Sequence, residues 1–212
     1  IHDLLITQNI FKLPGGVISG IFYNNPHYNI YINNNIFQCA LKLGPSASVE
    51  ECKNNIFDIQ SDTGPEEIIS IKTSSFKNNI IKNADAVVSI NNGIRNSIIT
   101  HNYFAISPAA IAPFQFDTSA AYKNEPFTPV QMQNLFVNTS ASPDGNYRLR
   151  TGTVYNNTGS DNTNRGPFGG AAVDKRYSIS GLGPIPVIYD ISTSGVSDAT
   201  GLPVTIKSRI AH

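Results

Sequence analysis

Asn35-Ile36-Phe37, followed twenty positions later by Asn55-Ile56-Phe57, is the stretch on which the fold turns. The same pattern, an asparagine ahead of a branched or aromatic apolar pair, also occurs as Asn9-Ile10-Phe11, Asn79-Ile80-Ile81, Asn102-Tyr103-Phe104 and Asn134-Leu135-Phe136. The intervals between these asparagines are 26, 20, 24, 23 and 32 residues. Recurrence at such a period marks a repeat architecture in which each repeat buries its apolar side against the next. Leucine-rich repeats are excluded by the scarcity of leucine, and helical arrays by the lack of helical periodicity. The expected fold is therefore all-β, a right-handed parallel β-helix (solenoid) with a short C-terminal β appendage. The competing architecture is a β-sandwich whose Asn-rich turns mimic a period.

Composition points the same way. The 212 residues include 27 Ile and 24 Asn but only 9 Leu, a balance that disfavours helix. Asparagine suits the corners of a stacked β structure, because it tolerates left-handed backbone angles and its amide can bond to the asparagine of the next repeat. Ile10, Ile36, Ile56 and Ile80 are expected to form one interior column. A second strand per repeat is read at Ala40-Leu41-Lys42-Leu43, Ile69-Ser70-Ile71-Lys72 and Val88-Ser89-Ile90-Asn91. Alternation sends Leu41, Leu43, Ile69, Ile71, Val88 and Ile90 inward. Lys42, Ser70, Lys72, Ser89 and Asn91 then share an outer face, where Lys42, Ser70, Ser89 and Asn91 are the expected substrate-binding residues.

Three segments follow from the pattern: 1–137 as β-helix repeats, 138–175 as a loop-rich closing segment, and 176–212 as a β cap. Strands are expected at Arg176–Ile179, Pro186–Ile191 and Pro203–Lys207. Fifteen basic residues balance fifteen acidic ones, so the net charge is zero and a dedicated nucleic-acid binder is not expected. No run of 18 apolar residues occurs, so no membrane span is expected. The sequence opens at Ile1 without a signal-peptide pattern and is expected to be a mature or trimmed piece of a longer chain. Cys39 and Cys52 are read either as one disulfide or as two buried thiols.

Two resemblances add to this reading. Asn134–Asn138, Asp144–Gly152 and Arg165–Gly170, with Gly183–Tyr189 after them, resemble the closing part of secreted right-handed β-helix proteins of Bacteroidetes-type bacteria. That resemblance implies an extracellular or cell-surface location and is silent on activity. Glu67-Ile68-Ile69-Ser70-Ile71-Lys72 is similar to a motif of alginate-lyase and chondroitinase-B-like polysaccharide lyases. It implies Glu67 as a calcium ligand, with Asn35 as a second metal ligand, and Lys72 as the base that removes a proton beside a uronate carboxylate. The sequence departs from that motif at Pro65, where an acidic ligand is expected, and at Asn91, where an arginine is expected, with Arg95 the nearest substitute. The leading expectation is thus a non-enzymatic extracellular module without cofactor: a rigid stalk, an adhesin or a face for a polysaccharide or cell-surface glycan. A calcium-dependent lyase of uronate polymers is the alternative, and a phage tailspike or fibre fragment a third.

Overall fold

The computed structural model describes residues 2–12, 17–20, 28–43, 47–59, 69–82, 94–95, 98–105, 117–137, 142, 144–178, 186–193 and 204–210. It divides into two units, Ile1–Gly181 and Leu182–His212. In chain order the first half of the large unit contains β1 (His2–Thr7), β2 (Ile10–Phe11), β3 (Val17–Gly20), β4 (Tyr28–Asn33), β5 (Ile36–Phe37), β6 (Ala40–Leu43), β7 (Ser48–Lys53) and β8 (Ile56–Phe57). It continues with β9 (Ile69–Thr73), β10 (Ser75–Lys77), β11 (Ile80–Ile81), β12 (Ile94–Arg95), β13 (Ile98–Thr100), β14 (Tyr103–Ala105), β15 (Glu125–Phe127) and a helix, α1 (Pro129–Asn134). The fold is all-β with parallel sheets. Among the described residues, no helix is long and apolar enough to cross a membrane.

Pairing follows the sequence repeat. The six-stranded sheet runs β15-β14-β11-β8-β5-β2, with Ile10, Ile36, Ile56, Ile80, Tyr103 and Glu125 in successive register. A second ladder joins β1, β4, β7, β10 and β13, and a third joins β3, β6, β9 and β12. Strand β9 links the last two, since Ser48 of β7 is also in register with Lys72.

Each repeat turns its corner on the same two residues. The first has a left-handed backbone: Gln8, Asn34, Asn54, Asn78, His101 and Lys123 all have φ between 51° and 60°. Asparagine is favoured there because it tolerates that region better than other side chains. The second is a ladder asparagine. The backbone N–H groups of Asn9, Asn35, Asn55, Asn79 and Asn102 each donate to the Oδ1 of the next asparagine at 2.8–3.1 Å, ending on Asn124. The side-chain amides of Asn35, Asn55, Asn79, Asn102 and Asn124 donate in turn to the carbonyls of Ile6, Ile32, Cys52, Phe76 and Ile99. Five backbone N–H groups and five backbone carbonyls are satisfied in this way.

The sixth member of this row is Asn124, not Asn134. Asn134 closes α1, whose start is fixed by Pro129 and by a capping box between Thr128 and Gln131. A more consequential correction concerns the apolar column. Phe11, Phe37 and Phe57 stack face to face, with centroids 4.9 and 5.0 Å apart, and pack with Ile30, Ile32, Leu41, Val49, Cys52, Ile71 and Ile81. The phenylalanines therefore line the core shared by the three ladders. Ile36, Ile56 and Ile80 lie on the opposite face of the same short strands, in a separate cluster with Tyr103, Phe127, Phe136, Tyr147 and Tyr177. All three isoleucines are fully buried, whereas Ile10 at the end of the row is 37% exposed.

What buries that second face is a strap formed by residues 144–178. Its backbone is held by the left-handed column. Gln8 Nε2 donates to the carbonyls of Asp174 and Arg176, Asn34 Nδ2 to those of Pro167 and Gly169, and Asn78 exchanges two bonds with Ser160. Gly166, at φ +84°, passes so close to the isoleucines that an added Cβ would lie 2.9 Å from Ile80 Cδ1. Only glycine meets both conditions. The strap contains 3₁₀ turns at Gly145–Tyr147 and Val173–Lys175 and no strand, so the strand expected from Arg176 is absent through Ser178, and Ile179 lies outside the described residues.

The small unit contains β16 (Pro186–Thr193) and β17 (Val204–Ile210), paired antiparallel. These match the two strands expected there.

Candidate ligand-binding face

In strand β6 Lys42 lies between the buried Leu41 and Leu43 in sequence, and in β9 Ser70 and Lys72 flank the buried Ile71. Register places Lys42 beside Ser70 and Lys72 beside Arg95, while Ile71 pairs with Ile94. Lys42, Ser70, Lys72 and Arg95 thus share the strand parity opposite to the buried residues. Lys72 is exposed and forms no ion pair among the described residues. The structure brings together two of the residues singled out for chemistry, Lys72 and Arg95, as neighbours on adjacent strands. Glu67, Ser89 and Asn91 lie outside the described residues.

Asn35 does not belong to this face. It is fully buried, its Oδ1 accepts from the backbone N–H and the amide of Asn9, and its Nδ2 donates to the carbonyls of Ile6 and Asn33 and to Asn55 Oδ1. Its oxygen faces the ladder and offers nothing to a cation on the outer surface. Among the described residues, no group of three His, Cys, Asp or Glu side chains is placed to hold a metal ion.

A second polar cluster went unread in the sequence. Lys82 Nζ lies 2.8 Å from Asp58 Oδ2, the Tyr147 hydroxyl donates to the same oxygen at 2.6 Å, and Gln38 Nε2 donates to that hydroxyl at 2.7 Å. The ammonium also sits over the Tyr147 ring, 4.9 Å from its centre. Burial, with the Asp58 carboxylate beside it, pushes the Tyr147 phenol well above its ordinary range. The hydroxyl stays protonated and serves as a fixed donor. Gln38, Asp58 and Lys82 each follow a short strand, so position in the repeat could have grouped them, but Tyr147 arrives from the strap. Every member is paired, and the cluster fastens the strap to the sheet.

On the ladder containing β4, β7 and β10, Glu51 pairs with Lys53 at 2.8 Å and Lys77 at 3.2 Å. Burial raises the Glu51 pKa, but the bonds and charges of the two lysines outweigh it and leave the carboxyl below its usual value. These lysines are therefore neutralised in place. Both cysteines are buried, and no disulfide joins them. Cys52 accepts a bond from Asn55 Nδ2 at 3.4 Å, and burial together with the Glu51 charge raises its pKa far above that of an exposed thiol.

No protein-family model, no curated protein and no solved structure matches this chain. Its function has to be argued from these residues.

Proposed function

We propose that the chain winds as a right-handed parallel β-helix and serves outside the cell as a non-catalytic module, a rigid wall with one face that binds glycan. The observation that carries the β-helix reading is the asparagine ladder: six rows, separated by 26, 20, 24, 23 and 22 residues, repeat one corner and one set of bonds. Right-handed winding is the general rule for parallel crossover connections. A location on the surface of, or secreted from, a Bacteroidetes-type bacterium follows from the resemblance of the closing segment.

Rigidity supports the wall. Buried amide bonds run the length of the row, and a strap sealed by aromatic side chains covers its outer flank. The glycan reading rests on the ladder of β6, β9 and β12, where register sets Lys42 beside Ser70 and Lys72 beside Arg95. A polysaccharide array, probed with the purified protein and with a heat-unfolded control, tests it. Binding of the native protein to at least one polysaccharide is expected; no binding to any would sink the glycan reading.

One observation favours the lyase reading as a second choice, the register of Lys72 with Arg95. Incubation with alginate or chondroitin sulfate and calcium should then give unsaturated products that absorb in the near ultraviolet. The expected outcome is no turnover on either polymer, since Pro65 replaces an acidic metal ligand and Asn35 is committed to the ladder. Calcium-dependent product that disappears in Lys72→Ala would establish the lyase instead.

A further inference from the structure

We propose that the strap carries a binding site for a tetrahedral oxyanion, a phosphate or sulfate group either free or borne on a sugar, between Arg148 and Arg150. The site uses no residue of β6, β9 or β12, and it stands whether or not that ladder binds glycan.

The backbone under the two arginines is fixed at every polar group. The N–H of Arg148 donates to the Gly145 carbonyl at 3.1 Å, and its carbonyl accepts from the N–H of Val137 at 2.9 Å. The N–H of Arg150 donates to the Leu135 carbonyl at 2.9 Å, and its carbonyl accepts from Asn156 Nδ2 at 3.0 Å. An antiparallel bridge between Phe136 and Leu149 lies between these bonds. Burial alternates here: Tyr147 and Leu149 are buried, whereas Arg148 and Arg150 are exposed. The two arginines therefore share the outer side, about 6.6 Å apart along extended chain.

Each guanidinium is also held, by a contact that supplies no negative charge. That of Arg148 lies over the Phe168 ring, 5.4 Å from its centre, and Arg150 Nε donates to the Phe136 carbonyl at 2.7 Å. Among the described residues neither arginine has an ion pair, whereas Lys82, Arg165 and Lys175 pair with Asp58, Glu125 and Asp174. Both terminal nitrogens of Arg150, and the whole rim of the Arg148 guanidinium, keep their N–H groups for a ligand.

Two like charges side by side repel, and free surface cations relieve this by swinging apart in solvent. These two are tethered, so much of their side-chain freedom is lost in the fold before any ligand arrives. An anion between them gains from both charges at little cost in ordering. Donor number selects the ligand. A carboxylate is matched by the fork of one arginine, whereas a phosphate or sulfate group offers a third oxygen and can engage both.

The test is isothermal titration calorimetry of the whole chain at low, constant ionic strength. The probes are inorganic phosphate, inorganic sulfate, glucose 6-phosphate, glucose 6-sulfate and acetate. At least one tetrahedral probe should bind with a Kd on the order of 1 mM or tighter, and acetate at least about tenfold more weakly. Sugar esters binding tighter than the inorganic ions would assign the site to a sugar-borne group; the reverse order would assign it to the free ion. Both orders support the site. Arg148→Gln and Arg150→Gln should each weaken binding about tenfold, the scale of one hydrogen bond to a charged group, and the double variant should abolish it. Arg150→Lys, which keeps the charge and loses the fork, should recover only part of the affinity. Lys53→Gln, whose lysine is already paired with Glu51, should bind as the wild type does. Melting temperatures without ligand confirm that each variant folds; if Arg150→Gln does not, Arg148→Gln and Arg150→Lys decide. No binding of any tetrahedral probe, equal affinity for acetate, or unchanged binding in the double variant would overturn the site.

Discussion

The guanidinium of Arg165 lies 4.0 Å from the centre of the Tyr103 ring, where the strap crosses the row of ladder asparagines. It also bonds Glu125 at 2.7 Å and the carbonyls of Asn102 and Thr158, and it is 2% exposed. A planar, forked cation can serve a ring, a carboxylate and two carbonyls together, and an ammonium cannot. Arg165→Ala should lower stability by about 3–5 kcal/mol, the usual cost of breaking a buried charge pair. Arg165→Lys should recover only part of that. Urea unfolding measures the loss, and limited proteolysis should show cleavage appearing first within residues 144–178.

Asn55 tests the ladder. Its replacement by Leu removes the donors to the Ile32 carbonyl and to Asn79, and the acceptor for Asn35. Each buried polar group left unpaired costs about 1–3 kcal/mol, so a loss of at least about 3 kcal/mol is expected in chemical denaturation. Asn55→Asp should be no better, since it buries a charge against the Asn79 oxygen. Retention of wild-type stability by either variant would remove the ladder as a stabilising element.

The left-handed column separates backbone from side-chain effects. Asn54 and Asn34 have nearly the same φ, 54° and 59°. Asn34 donates two bonds to the strap, whereas both polar atoms of the Asn54 side chain lack a partner among the described residues. Asn54→Gly should therefore be close to neutral, while Asn34→Gly should cost about 1–3 kcal/mol for its lost bonds. Alanine at either position adds about 1–2 kcal/mol of left-handed strain. Melting temperatures of the four variants decide the matter.

His101 occupies the same column. Burial lowers its pKa, and the nearby charges of Arg165 and Lys123 lower it further. The unfolded chain, with an ordinary histidine near 6.5, then binds more protons than the folded one in the window just below that value. Stability should fall as pH drops through that window and level off below the folded pKa. His101→Asn, which keeps a side chain suited to the left-handed backbone, should flatten this part of the profile. The readout is the wild-type minus variant difference in melting temperature at pH 7.5 and pH 5, which should change sign or shrink on acidification.

Both thiols are buried, and the Cys52 thiol is held protonated. Alkylation of the native protein should be slow, and the thiolate fraction sets that rate. Denaturation without reductant should give two labels per chain by intact mass. A product with no label would mean a disulfide.

The repeat was legible because Asn-Ile-Phe triplets impose one backbone geometry wherever they occur. Which side of those triplets faces the main core was not. Alternation assigns Ile36 and Phe37 to opposite faces, but both faces are buried, so polarity gave no basis for choosing between them. The row's last member was misread because Asn134-Leu135-Phe136 copies the motif, while Asn124 is followed by Glu125-Pro126. The Thr128-Pro129 start and Gln131 three residues after Thr128 were the local signal that Asn134 belongs to a helix. The strap had no such signature. Its Gly-, Asn- and Thr-rich residues carry no periodicity, and only its partners across the fold explain why Arg165 and Gly166 are where they are. At the candidate face, strand parity predicted which residues share a side, but only register could set Arg95 beside Lys72.

Unequal intervals meeting at one row of identical corners have a consequence for how such a chain can change. Because the asparagines fix the phase of every repeat, the lengths between them are free, and those of 20 and 26 residues already sit in the same register. Insertions and deletions between corners should leave the stack undisturbed, while a single residue gained or lost within an Asn-Ile-Phe triplet would throw the row out of step. New recognition loops can therefore be grafted between rows without redesigning the framework that carries them.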